Sequence, residues 1–196
     1  MACHDHHASD KAPPALDRRS VVAALASTAA LSVTPLALTN ARAEDAAHVA
    51  TNASKDDLHF MSIALDEARR GDYPFGAVIV KDGGIIARGR NLGRTHDDPT
   101  AHGEMTAIRR CLAAHGSAAL KGATLYTSGE PCVMCMGAII WCGIGRLVYA
   151  ASVAQIGAKM NQIMITSSEV AAKTPWDHIS ITGGVLADEA VPLLAR

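Results

Sequence analysis

From Leu58 the chain reads LHFMSIALDEARRG, and the apolar positions Leu58, Met61, Ile63, Leu65 and Ala68 fall on one broad face before Gly71 stops the pattern, which predicts an amphipathic helix. The period then shortens. GAVIVKDGGIIARGRN holds two short β-rich runs joined at Asp82-Gly83-Gly84, a hairpin signal. The polar, turn-rich GRTHDDP leads to a second helix, opening near Thr100 as N-cap and running to about Ala114. ATLYTS predicts a strand ending at Gly129, and EPCVMCMGAIIWC a helix with Pro131 in its first position. RLVYAA and HISITGG predict further strands, and LADEAVPLLA a closing helix weakened by Pro192. This order, αββαβαβ and then mixed, predicts an α/β fold with helices on both faces of one sheet.

Ahead of these elements the pattern is different. Arg18 and Arg19 precede SVVAALASTAALSVTPLAL, and an Ala-x-Ala sequence ends at Ala43. That layout predicts a twin-arginine export signal over 1–43, cut after Ala43, so that the mature protein begins near Glu44 in the periplasm or outside the cell. An uncut membrane anchor is the rival, but several hydroxyls and Pro35 make the segment a poor spanning helix, and no stable anchor is expected. The Cys3–His7 cluster CHDHH has metal-binding composition but would leave with the signal. Residues 44–57 read as a linker and 58–196 as one domain.

At 196 residues and 49% hydrophobic, the chain is long enough for one well-buried domain. Lys and Arg number 18 against 19 Asp and Glu, with no basic run, so the footprint of a protein that grips nucleic-acid phosphates is missing. No nucleic-acid polymer is expected as partner.

Chemistry enters at TAHGEMTAI. His102 and Glu104 lie roughly 200° apart around an ideal helix, so they cannot pair along one face and must serve a site at the helix end or face water. EPCVMC supplies a possible other half. Cys132 and Cys135 are three apart at a helix start, where the positive end of the dipole favours thiolates. Zinc takes N and S donors tetrahedrally, and a catalytic zinc keeps three protein ligands and leaves one position to water; His102, Cys132 and Cys135 make such a set. Glu104 would then act as acid and base beside the metal without being a ligand. The pairing of the two halves rests on the His-x-Glu…Pro-Cys-x-x-Cys signature of zinc deaminases.

With these residues in place, the chain resembles the cytidine deaminase-like superfamily of zinc-dependent base and nucleoside deaminases. PFGAVIVKDG, GRN, DPTAHGE, LYTSGEPCVMCMGAIIW and GGVLADE occur in the order that family uses, from about Leu58 to the end. The resemblance implies a three-layer α/β/α sandwich with a five-stranded mixed sheet, one Zn²⁺ per chain on His102, Cys132 and Cys135, Glu104 as proton shuttle, and a homodimer. Within the family, PFGAVIV, DPTAH, LYTS and a tryptophan four residues after Gly137 are most similar to bacterial guanine deaminases. That likeness implies a base pocket lined by Phe75, Asn91, the backbone of Gly103 and Trp141, with Asn91 bonding a ring carbonyl. The sequence also departs from it. His-Gly-Glu is shared with fungal-type cytosine deaminases, while EPCVMC and the tail GGVLADE are more like tRNA adenosine deaminases. The expected reaction is hydrolytic deamination of a free base or nucleoside, guanine first, then cytosine, then adenine, adenosine or another amino heterocycle.

Two other classes compete. A structural zinc module would close all four positions with Cys or His, and no fourth ligand stands out beside this set. A thioredoxin-like Cys-x-x-Cys pair would leave His102 and Glu104 unexplained. Cys111 and Cys142 read as inert thiols, and the methionines at 134, 136, 160 and 164 as core or interface filler.

Overall fold

Strand β1 (Gly76–Lys81) alternates strictly: Ala77 and Ile79 enter one apolar cluster, Val78 and Val80 another. Strand β3 (Thr124–Gly129) divides Leu125 from Tyr126 in the same way, and β4 (Arg146–Ala151) divides Leu147 from Val148. A sheet with both faces buried needs a helical layer on each side. On one side lies α1 (Lys55–Arg69), with Met61 and Leu65 fully buried against Val78, Val148 and Ile156. On the other lie α2 (Gly103–His115) and α3 (Val133–Trp141), which place Ile108, Cys111, Met136 and Ile139 against Ile79, Leu125 and Leu147. The computed structural model describes residues 53–176 and 179–195.

The sheet has five strands in the order β2-β1-β3-β4-β5, where β2 is Gly84–Arg90 and β5 is Ser180–Thr182. β1 pairs antiparallel with β2 and β3, while β3, β4 and β5 run parallel. The expected three-layer sandwich on a mixed five-stranded sheet is therefore the observed one. Asp82 and Gly83 turn the hairpin with φ of 50° and 75°, the left-handed pair that a tight β-turn between twisted strands requires. Parallel β3 and β4 are joined through α3, so the ends of β3 and β4 lie side by side, with Gly129 opposite Ala151. After β4 the chain forms two short helices, α4 (Val153–Gly157) and α5 (Ser167–Ala171).

Boundaries differ from the sequence reading in informative places. α1 begins at Lys55, inside the expected linker, because Ser54 caps it reciprocally with Asp57: Asp57 N–H donates to Ser54 Oγ and Ser54 N–H to Asp57 Oδ2, both at 3.0 Å. The closing helix divides at its proline, α6 covering Ala187–Ala190 and a 3₁₀ turn Val191–Ala195. Ser117–Leu120, for which the sequence predicts no element, forms another 3₁₀ turn. Among the described residues no helix is long and apolar enough to cross a membrane. The segment 1–43 with its Cys3–His7 cluster lies outside the described residues.

Candidate active site

His102 and Cys132 are each the N-cap of a helix, with nearly the same backbone, φ/ψ of −65°/163° and −63°/166°. Neither side chain caps its helix. Extended geometry at an N-cap turns the side chain off the helix axis, and here both turn toward each other. His102 Nδ1 lies 3.6 Å from Cys132 Sγ and 3.6 Å from Cys135 Sγ, with Cys135 one turn further along α3 and fully buried. Thr100 and Pro131, expected as N-cap and first helical residue, precede the helices instead. Thr100 belongs to a turn: its N–H and Oγ1 both donate to Asp98 Oδ1, and Arg109 of α2 donates to Asp98 Oδ2 and Thr100 Oγ1 at 3.0 and 2.9 Å. That clamp fixes the approach of the chain to His102.

The donor set fits zinc. Tetrahedral bonds of about 2.0–2.1 Å to N and about 2.3 Å to S place neighbouring ligand atoms roughly 3.5–3.8 Å apart. The two 3.6 Å separations match, and all three donor atoms lie within 4.8 Å of one another. Neither cysteine is in a disulfide, so both sulfurs are available to a metal. Hydrogen bonding from Cys135, opposed by burial and aided by His102, holds Cys132 at about 4, a thiolate. The hydrogen bond to Cys132 and burial push Cys135 up, and the Cys132 hydrogen bond raises His102. One proton is thus retained between two sulfurs, and a dication would displace it; two thiolates and a neutral imidazole then balance its charge.

Glu104, the second residue of α2 and two positions after His102, is 4% exposed, and the charges of Cys132 and His102 act on its carboxyl. Burial raises its pKa, and Cys132 adds to the shift.

A cavity of about 650 Å³ opens over His102 and is lined also by Phe75 and Asn91. Asn91 is 4% exposed, and its Oδ1 accepts the Gly93 N–H at 3.0 Å. Its NH₂ is therefore the group it can present to a ligand, and a ring carbonyl is a matching acceptor. Gly103 lies between His102 and Glu104 as the first residue of α2. Trp141 is placed apart from these residues. It ends α3, is 76% exposed, and stands edge-on to Trp176 at 4.6 Å beside a separate concavity of about 730 Å³ that contains none of His102, Cys132 and Cys135. Sequence reasoning also missed part of the wall: Met160, Asn161 and Gln162 line the cavity, as do Tyr73 and Arg94, stacked 4.6 Å apart. Residues 160–162 carry no periodic signal, so Met160 read as filler.

Residues 54–151 match the family model described as the cytidine and deoxycytidylate deaminase zinc-binding region. Over 78 residues, 40% of this chain, the protein is 56% identical to guanine deaminase of Bacillus subtilis and spans half the length of that relative. It is 39% identical over 142 residues to the tRNA-specific adenosine deaminase of Agrobacterium fabrum, covering 70% of this chain and 91% of that one. The solved guanine deaminase of Nitrosomonas europaea superposes with a TM-score of 0.61 at 28% identity, covering 72% of this chain and 83% of the other.

Proposed function

The chain belongs to the cytidine and deoxycytidylate deaminase family, and from that premise we propose that it is a zinc-dependent hydrolase that deaminates a free nucleobase or nucleoside, with guanine the leading substrate. The observation that carries this reading is the triangle of His102, Cys132 and Cys135, with the buried Glu104 two residues after His102, and a cavity that His102 shares with Asn91, whose free amide NH₂ can donate. Zinc held by the three ligands would supply the Lewis acidity that lets water lose a proton near neutral pH. Glu104 is placed to accept that proton and to hand it to the departing amino group, so water and guanine give xanthine and ammonia. Phe75 supplies an apolar wall, and the Asn91 NH₂ orients a ring carbonyl. Guanine has that carbonyl and adenine does not. The identity of 56% with a guanine deaminase supports the same choice.

A second reading, adenosine in tRNA, is favoured by the longer alignment with the tRNA-specific relative. Against it stands a formal charge of −1 with no basic run to hold phosphates. Ammonia release by the zinc-loaded full chain separates these readings over a panel of guanine, cytosine, adenine, their nucleosides and a tRNA anticodon stem-loop. The expected result is turnover of guanine that falls by about 10²–10⁴-fold in Glu104→Gln while zinc stays bound. Turnover of the stem-loop alone, or of cytosine alone, would replace guanine as the substrate. Silence with zinc bound would assign the centre a structural role.

A further inference from the structure

Glu130 lies two residues before Cys132, is 4% exposed, and plays no part in the chemistry just described. Its two carboxylate oxygens are used separately. Oε2 accepts the Val153 N–H at 2.7 Å, and Oε1 accepts the Ser167 N–H at 2.8 Å. These donors are the first residues of α4 and α5, which are fourteen positions apart and open the two ends of one surface segment. Between them the chain carries Met160, Asn161 and Gln162 into the cavity over His102. The backbone of Glu130 is fixed too, its N–H donating to Ala151 O at 2.7 Å at the paired ends of β3 and β4. A second contact ties the same turn to both walls. A Cβ on Gly129 would meet Ile156 Cδ1 at 3.0 Å and Phe75 Cε1 at 3.1 Å, so the wall segment and Phe75 close on the turn from either side.

We propose that Glu130 is a positioning residue that anchors the 153–167 segment, and with it the Met160–Gln162 wall of the cavity, to the turn that leads into Cys132 and α3. It touches neither metal nor substrate. A carboxylate suits the task because two separate N–H groups need an acceptor in a place water does not reach, and unpaired buried donors are costly. A glutamine offers one acceptor oxygen and points its NH₂ at the other N–H, so one anchor is lost. The role of the wall in base affinity rests on the deaminase reading; the anchoring itself does not.

The test compares Glu130→Gln and Val153→Pro with wild type in the zinc-loaded full chain. Proline suits the first position of α4, since its fixed φ fits there and Ser152 before it is extended at φ/ψ −71°/161°; the substitution keeps the helix and removes the donor, while exchanging the buried Val153 side chain for a ring of similar size. Both variants are expected to raise KM for the base about tenfold with kcat within about twofold, as loss of a ground-state contact does. Zinc content should remain at the wild-type level, and amide exchange should accelerate within 153–167. A fall in kcat at unchanged KM would put Glu130 in the proton path, and loss of zinc would put it in the metal site; either overturns the proposal. If Glu130→Gln does not fold, Val153→Pro decides by the same readouts. If wild type turns over no base, the functional reading fails, and amide exchange still decides the anchoring: faster exchange confined to 153–167 supports it, and unchanged exchange rejects it.

Discussion

Asp57 was read from sequence as the last residue of a linker, yet it is 2% exposed and is the hub of a polar network. Arg146 donates to both its oxygens at 2.6 and 3.0 Å, and the Tyr126 hydroxyl donates to Oδ1 at 3.0 Å. Burial works against the charge, but the Arg146 hydrogen bonds, the Ser54 N–H and Tyr126 overcome it and hold Asp57 at about 2, against 3.8 ordinarily. Burial and Asp57 in turn push Tyr126 up to about 12. A carboxylate lowered in the folded state contributes stability that is present above its unfolded value and lost as pH falls through the folded one. Arg146 is 32% exposed, so solvent screens the pair, and we expect a loss of about 1–2 kcal/mol between about pH 4 and about pH 2. Urea unfolding at several pH values should show this slope in wild type and a shallower one in Arg146→Met. Equal slopes would mean that Arg146 does not set the Asp57 charge. The network was illegible in sequence because Asp57 and Arg146 are 89 positions apart.

At the scale of elements, the helices meet the sheet at glycines. A Cβ on Gly76 of β1 would strike the backbone of Ala64 and Ala68 in α1, and one on Gly89 of β2 would strike that of Gly103 and Ala107 in α2. Backbone cannot yield as a flexible side chain can, so Gly76→Ala and Gly89→Ala should each cost about 1–3 kcal/mol in denaturant unfolding. Zinc retention separates them. The backbones of both glycines lie near the α2 start, but the methyl added at Gly89 would press on Gly103 and Ala107 whereas the one added at Gly76 would press on α1. The Gly89 variant should therefore bind zinc more weakly than the Gly76 variant; equal affinity in the two would show that the α2 start moves independently of β2. The hairpin, the helices and most strands were legible because alternation and helical spacing are local. The exact helix starts were not. Thr100 and Pro131 have the better local credentials, but His102 and Cys132 take the N-cap positions, where extended backbone aims a side chain away from the helix and toward the shared centre.

For the molecule as a whole, His102, Cys132 and Cys135 converge on one point from two helix starts, so a metal held there should be linked to folding. Chelation should lower the thermal midpoint, and added zinc should restore it; at a zinc concentration about 1,000 times its Kd the coupling is about 4 kcal/mol. An unchanged midpoint after verified metal removal would show a site preformed by packing alone. Export belongs to this scale too. We propose that the twin-arginine signal expected over 1–43 exports the chain with zinc already loaded, which would protect Cys132 and Cys135 from oxidation in an oxidising compartment. Mass spectrometry of the exported fraction should find an N-terminus at Glu44 and one zinc per chain. An intact N-terminus, or a Cys132–Cys135 disulfide without zinc, would reject that route.

The sequence by itself determined the α/β class, the two-sided sheet and the residue types of the site, because strand alternation, helical spacing and the chemistry of His-x-Glu and Cys-x-x-Cys are properties of neighbouring residues. Tertiary structure alone decided which residues stand together. It brought Asn91 and Phe75 to His102, set Trp141 on the surface beside Trp176, and recruited Met160, Asn161 and Gln162 as a wall. It also gave Glu130 two helices to hold. Those relations depend on the parallel crossover that sets the ends of β3 and β4 side by side, and on contacts between segments tens of residues apart, which no local pattern encodes.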